Sequence, residues 1–296
     1  MSNLRPLVSV YLPTRNRINL LRRAVSSVFA QTLSNFELII VDDCSDDETA
    51  EYCASLEASD TRVRCYRTYA RSGAPYARNL AISHARSDLV TGLDDDDEML
   101  PSRLASLLAS FDTRYSLVSS PAYIRTESWQ RISNAGAKVI TLDDLLYDNI
   151  VGTQMLTLKS RMTSIGGFDE SLTSAQDYDM WVRLVEKFGP ASRTATPTYV
   201  MHADNRPDRI SIASAPLVGG FLAKHRSLMN PLQIATQELY VVASKGDPLH
   251  FARWVELTNR KTWVKSTRYL ITSRVPQLRR VGNALRSFLS RSQRPR

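Results

Sequence analysis

The first hundred residues alternate between short apolar runs and segments whose apolar residues recur at helical spacing. Leu7–Leu12 is a β-rich run stopped by Pro13-Thr14-Arg15-Asn16. The next segment places Leu20, Leu21, Ala24, Val25, Val28 and Phe29 on one helical face. Phe36–Val41 predicts a second strand, followed by Asp42-Asp43-Cys44-Ser45-Asp46-Asp47-Glu48. A helix begins near Asp46, with acids in its first turn, where the helix dipole favours them. Arg62–Tyr66 predicts a third strand, Tyr76–Ala85 a helix, and Asp88–Leu93 a buried strand. Strand and helix alternating at this spacing predict a parallel α/β sheet.

Beyond residue 112 the pattern changes to short mixed strands and loops, including Ser116–Ser120 and Gln154–Leu158. A helix opening at Gln176 carries Met180, Trp181, Leu184, Val185 and Phe188 on its apolar side and stops at Gly189-Pro190. No internal repeat is present, and no Gly-x-Gly-x-x-Gly turn, which argues against the usual dinucleotide fold.

The chemistry gathers at strand ends. Leu93 is followed by Asp94-Asp95-Asp96-Asp97-Glu98, and Pro101 suits the first turn of the helix after it. Ligands of open α/β sheets bind at the carboxyl ends of strands. Adjacent carboxylates repel one another, and a divalent cation with oxygen ligands relieves that repulsion. Magnesium or manganese suits such donors. A solvated acidic loop is the plainer alternative. The second cluster, Asp42-Asp43, weighs against it: if the two strands are neighbours, both clusters face one crevice. Asp177 falls in the first turn of its helix, either as a helix-start acid or as a group projecting into a cleft.

The totals add an anionic partner to this picture. The 296 residues are 43% hydrophobic and 23% charged, enough for a real core, and carry a net charge of +8. The start resembles no signal peptide, and no run approaches the length of apolar chain that spans a bilayer. Cys44, Cys53 and Cys65 show no metal or redox spacing, as expected of reduced thiols in a cytoplasmic protein.

Val8–Arg17, Gln31-Thr32, Phe36–Ser45, Ala77-Arg78-Asn79, Leu93–Asp97 with Pro101, Gly166–Glu170 and Gln176–Trp181 together resemble a family 2 glycosyltransferase. The resemblance spans roughly residues 6 to 212 and rests on the order and spacing of the motifs. It implies a GT-A fold, with residues 1–112 as a nucleotide-sugar-binding half and 113–220 as an acceptor-binding half. Pro13, Thr14 and Asn16 match a loop that touches the nucleotide, and Asp43 matches the acid that reads the uracil edge. Arg78 stands where the family has an arginine near the diphosphate. Asp94 and Asp96 match Asp-x-Asp, which implies Asp96 on a manganese or magnesium ion and Asp94 on the ribose; Asp95 is grouped with the donor-binding residues. His202 falls near a histidine that approaches the metal. Asp177 matches the catalytic base. The usual preceding glutamate is replaced by Gln176, which removes a charge and would lower the pKa of Asp177.

The implied reaction is a metal-assisted, inverting displacement from a UDP-sugar. The pattern is most similar to bacterial O-antigen β-1,3-glucosyltransferases that use UDP-glucose and act on GlcNAc-diphospho-undecaprenol. UDP-galactose is the near alternative. A capsule or teichoic-acid transferase, or a processive synthase, is a further one, although Trp129-Gln130-Arg131 does not match the processive motif. A non-catalytic nucleotide- or nucleic-acid-binding module would explain the charge but not the aspartate loops.

Residues 221–296 read as a basic, amphipathic helical, membrane-associating region, with Trp254, Trp263, Val264, Tyr269, Leu270 and Ile271 among its interleaved apolar residues. Leu278, Val281, Leu285, Phe288 and Leu289 have helical spacing with arginines between them, as suits the anionic inner face of the bacterial inner membrane. No nucleic-acid partner is expected.

Overall fold

In a computed structural model, the structure describes residues 5–203, 218–246, 248–260 and 262–274. The N-terminal half alternates as the pattern predicts: β1 (Val8–Thr14), α1 (Ile18–Phe29), β2 (Phe36–Asp42), α2 (Thr49–Ser59), β3 (Val63–Arg67), α3 (Ala74–His84) and β4 (Leu89–Gly92). Two short elements follow, β5 (Glu98–Met99) and α4 (Arg103–Ala109). Pro101 therefore lies in the turn after β5, just ahead of α4, and not in the helix's first turn. The acidic run is a tight turn closed by the Asp97 N–H donating to the Asp94 carbonyl at 3.0 Å.

The chain continues through β6 (Val118–Ser119), β7 (Ala122–Arg125), β8 (Gln130–Ser133), β9 (Lys138–Ile140), α5 (Leu142–Tyr147), β10 (Met155–Leu158) and α6 (Lys159–Ser164). Then come α7 (Gln176–Phe188), β11 (Ala191–Arg193), β12 (Tyr199–His202), α8 (Val218–His225), α9 (Pro231–Lys245), α10 (Phe251–Leu257) and α11 (Trp263–Arg274). The larger sheet runs β3-β2-β1-β4-β10-β6-β11-β9, and a smaller one runs β5-β12-β7-β8.

β3, β2, β1 and β4 are mutually parallel, and β10 joins β4 antiparallel. The strands that end in acid, β2 and β4, are not neighbours as the shared-crevice argument supposed: β1 lies between them. The order reverses at β1, with β2 and β3 on one side and β4 on the other. That reversal opens a crevice at the strands' carboxyl ends. Both acid clusters reach it from opposite sides of β1.

Local sequence explains why the strands tolerate this arrangement. β1 and β2 are buried along their whole length, and their aliphatic side chains pack into cores on both faces of the sheet. Pro13 sits in a central strand, yet its missing N–H faces the β4 side, beyond Gly92, the last residue β4 pairs with β1. A Cβ on Gly92 would lie 2.1 Å from Gln154 Oε1 and 2.3 Å from the Tyr11 ring, so only glycine fits ahead of the acidic turn.

The expected boundary at residue 220 falls inside α8. This helix packs on α7, with Phe221 stacked on Tyr178 at 4.0 Å between ring centroids. Helices α9, α10 and α11 share a small core of Leu239, Leu249 and Leu257. The amphipathic stretch expected over Leu278–Leu289 lies outside the described residues.

Candidate active site

Three loops from the carboxyl edge and the start of α7 enclose a pocket of about 590 Å³. Its lining includes Pro13, Thr14, Asn16, Asp43, Arg78, Asp94, Asp95, Asp96 and Asp177, residues spread over more than half the chain. Arg15, Arg17 and Arg71 line it too, so the acids stand among cations.

The loops are fastened to one another. Asn16, held at φ 51°, receives a hydrogen bond from the Asp46 N–H at 2.7 Å and donates its own N–H to Ser45 Oγ at 2.9 Å. Asparagine tolerates this left-handed backbone better than most residues. The Thr14 hydroxyl donates to Asp95 Oδ2 at 2.9 Å and Arg17 to Asp95 Oδ1 at 3.1 Å. Asp95 thus ties the acidic turn to the loop after β1. Burial raises its pKa to about 6. Asp97 is also turned inward, accepting from the His202 N–H at 3.0 Å, and burial raises it well above the carboxylate range.

Asp94 and Asp96 carry the outward chemistry of the turn. Asp94 Oδ1 accepts from Arg78 at 2.8 Å and from Gln154 Nε2 at 3.2 Å. Gln154 is itself fixed by the Tyr11 hydroxyl at 3.0 Å. Asp96 stands 3.7 Å from Arg17, and its backbone carbonyl accepts from Arg23.

Asp43 is oriented by the loop that follows β3. Its carboxylate accepts from the N–H groups of Ser72 at 2.7 Å and Gly73 at 2.9 Å, and from the Thr68 hydroxyl at 3.1 Å. That arrangement holds an acceptor-only group rigidly at the pocket's edge.

Arg78 joins the two ends of the site. Besides Asp94 it donates to Gln176 Oε1 at 3.0 Å, while Gln176 Nε2 donates to the Leu172 carbonyl at 2.9 Å. Burial alone would depress the Arg78 guanidinium, but Asp94 and Asp177 beside it hold its pKa above the ordinary value. The neighbouring Asn79 clamps Phe168, accepting from its N–H at 2.7 Å and donating to its carbonyl at 2.9 Å. Gly167 makes room for that clamp, since a Cβ there would lie 2.5 Å from Asn79 Oδ1. The Ala77-Arg78-Asn79 and Gly166-Gly167-Phe168 motifs are therefore two halves of one contact.

Asp177 is the second residue of α7, which starts straight after Ala175, whose φ of 55° is strained for a residue with a side chain. Part of its surface faces the pocket. Its pKa is raised to about 6, first by burial and then by Asp94, with Arg78 pulling the other way. The expected lowering through Gln176 is thus outweighed by desolvation. Asp179, two residues on, is fully buried, and His225, Arg183 and Lys224 hold it far below the carboxylate range.

His202 does not line the pocket. Its Nε2 lies 2.6 Å from Glu98 Oε1, across the β5–β12 pair. Sequence reasoning missed Tyr11, Arg17 and Gln154. Tyr11 and Arg17 lie within the Val8–Arg17 motif without a signal of their own and Gln154 lies outside every motif, so only their placement around Asp94 and Asp95 reveals them.

The family model for glycosyl transferase family 2 matches residues 9–164, and the chain belongs to that family. WcaA of Escherichia coli (strain K12), named as a colanic acid biosynthesis glycosyl transferase, is 34% identical over 231 residues, 75% of this chain and 82% of its own. The fold is GT-A-like. A Staphylococcus aureus TarS fragment solved with UDP-GlcNAc superposes with a TM-score of 0.57 at 16% identity, covering 90% of this chain and 81% of its own. The mannosyltransferase PcManGT of Pyrobaculum calidifontis, solved with GDP-Man and Mn2+, gives a TM-score of 0.57 at 19% identity, covering 93% and 88%.

The residues present suit a divalent cation of the magnesium or manganese kind. Asp94 and Asp96 offer hard carboxylate oxygens at the pocket surface. No group of three or more His, Cys, Asp or Glu side chains among the described residues is placed to hold a metal. Magnesium is commonly held through one or two carboxylates, with water and substrate phosphate as its remaining ligands.

Proposed function

We propose that this protein is an inverting, divalent-metal-dependent hexosyltransferase of polysaccharide assembly. In its specific form the reading is transfer of glucose from UDP-glucose, in β-1,3 linkage, to GlcNAc-diphospho-undecaprenol at the inner face of the bacterial inner membrane, as in O-antigen repeat-unit synthesis. The observation that supports the sugar-transferring reading, though not the choice of sugar or linkage, is one pocket holding Asp43, the acidic turn and Asp177, braced by Arg78 between Asp94 and Gln176.

Asp177, with a pKa near 6, is mostly ionised at neutral pH yet basic enough to take a proton. It accepts the proton of the acceptor hydroxyl as that oxygen attacks the anomeric carbon. The bond from that carbon to the diphosphate oxygen breaks on the opposite face, so configuration inverts in a single displacement. Asp96, with Asp94 beside it, would hold the metal ion, which when bound offsets charge on the diphosphate. Arg78 keeps Asp94 in place, and Arg15, Arg17 and Arg71 supply positive charge around the donor. Asp43, already oriented by Ser72 and Gly73, accepts from the ring N–H of uracil.

The name of WcaA supports a polysaccharide pathway, and the UDP-GlcNAc bound to TarS supports a uridine nucleotide. The GDP-Man bound to PcManGT belongs to the same fold, so the choice of base rests on Asp43.

The test is transfer from radiolabelled UDP-sugars to a synthetic GlcNAc-diphospho-lipid, with manganese or with chelator. Glucose transfer that chelator abolishes is the expected result. Transfer of another sugar would correct the donor, and absence of UDP binding would overturn the reading.

A further inference from the structure

The C-terminal helices carry a surface that the transfer chemistry does not use. On α11, Ser266, Tyr269 and Leu270 turn towards the core shared with α9 and α10. The opposite stripe is Val264, Arg268 and Ile271, at i, i+4 and i+7; Val264 is 66% and Ile271 48% exposed. Trp263, on the flank, is 58% exposed. On the adjoining α10, Phe251 and Val255 are one turn apart, 61% and 56% exposed, and Phe251 stacks on Trp254 with ring centroids 5.4 Å apart. Isolated exposed apolar residues are ordinary; a cluster on two adjoining helices calls for a partner.

Charge identifies that partner. Glu256 is the last acid in the chain: residues 257–296 contain eleven Lys and Arg and no Asp or Glu. Arg260, Arg268 and Arg274, among the described residues of this stretch, are at the surface. Nucleic acid would be met by the arginines but gains nothing from Val264, Ile271 and Val255. An anionic bilayer takes both, with arginines at phosphate level, Trp263 and Phe251 at the interface, and aliphatic side chains in the acyl boundary.

We propose that the outward face of α10 and α11, centred on Phe251, Val255, Trp263, Val264 and Ile271, is the surface by which this protein rests on an anionic lipid bilayer. It narrows the expected membrane-associating region, residues 221–296, to one face of two described helices and does not depend on the Leu278–Leu289 stretch. The proposal is independent of donor and acceptor identity. No helix among the described residues is long and apolar enough to cross a membrane, so the contact is interfacial.

The test uses the full chain without sugar substrates. Recovery with phosphatidylglycerol-containing vesicles exceeds recovery with pure phosphatidylcholine by about tenfold or more at low salt. The exposed double variant Val264→Asp/Ile271→Asp lowers it by about tenfold or more, while UDP binding and the thermal transition stay as in the wild type. In parallel, lipids brominated in the acyl chain quench tryptophan fluorescence, and Trp263→Phe removes most of that quenching. Undiminished sedimentation of the double variant, or quenching unaltered by Trp263→Phe, would overturn the proposal. Retention by single-stranded RNA in preference to vesicles at equal salt would assign the surface to nucleic acid instead. Failure of sugar transfer alone, with vesicle binding intact, would bear on the proposed reaction and leave this surface standing.

Discussion

Arg78 and Asp94 meet at 2.8 Å, and through that contact the helix α3 holds the acidic turn while its other guanidinium nitrogen holds Gln176, next to Asp177. One cation thus sets the relative position of the groups proposed to bind the donor and to activate the acceptor. Arg78→Ala leaves Asp94 and Asp177 facing each other in a largely desolvated site. The expected loss is about 2–4 kcal/mol of stability, with weaker UDP binding and a higher pKa for Asp177. Thermal denaturation and calorimetric titration with UDP measure both. Unchanged stability would mean that solvent already screens the pair.

Asp177→Asn separates chemistry from binding. An asparagine keeps the shape of the site but accepts no proton, so transfer falls by about 10²–10⁴-fold while UDP affinity holds. Equal loss of UDP affinity would remove Asp177 from the role of base.

The raised pKa of Asp177 gives two pH dependences. Below about pH 6 the wild-type rate falls about tenfold per pH unit as the carboxylate gains its proton. Stability runs the other way. The folded protein holds this proton between about pH 4 and 6, where the unfolded chain, with its ordinary carboxylate, has lost it. Stability from this group is present at low pH and lost as pH rises through 6. Asp177→Asn is therefore more stable than wild type by about 1–2 kcal/mol at pH 7.5, and the difference shrinks below pH 5. Paired denaturation curves at the two pH values check the sign.

Gly92→Ala places a methyl group where Gln154 and Tyr11 already stand. The cost is about 3 kcal/mol or more, and the Gln154 bond to Asp94 is lost with it. Urea unfolding reads the first effect and UDP titration the second. A variant of normal stability would show that Gln154 has room to withdraw.

Asp96→Ala is expected to abolish manganese-dependent strengthening of UDP binding while leaving the metal-free affinity close to that of wild type. Asp95→Ala instead loosens the link from the acidic turn to Thr14 and Arg17, which appears as a lower melting temperature. If Asp95→Ala alone removed the metal response, the roles within the turn would be exchanged.

Much of this site was legible in the chain because each motif is local. A strand end followed by acids, a helix starting at Gln176, and glycines beside Phe168 can be read without knowing what they touch. What the chain could not show depends on distant contacts. Asp95 and Asp97 look equivalent to Asp94 and Asp96 in sequence, yet the turn points them at Thr14 and at the backbone of His202. Gln154 meets Asp94 from 60 residues away, and His202 meets Glu98 from 104 away. The insertion of β1 between the acid-bearing strands is likewise a matter of pairing order, to which hydrophobic periodicity is blind.

The cluster around Asp179 bears on how this enzyme can be cut and recombined. Asp179 Oδ1 lies 2.8 Å from both Lys224 and His225, and Oδ2 accepts from Arg183 at 2.6 Å. Two of those three partners arrive from α8, well past the family-matched segment. A chain ended before α8 would leave Asp179, two residues from Asp177 on the same helix, with Arg183 as its remaining charged partner of the three. Grafts between relatives that splice ahead of α8 therefore need to bring their own partners for this carboxylate in place of Lys224 and His225.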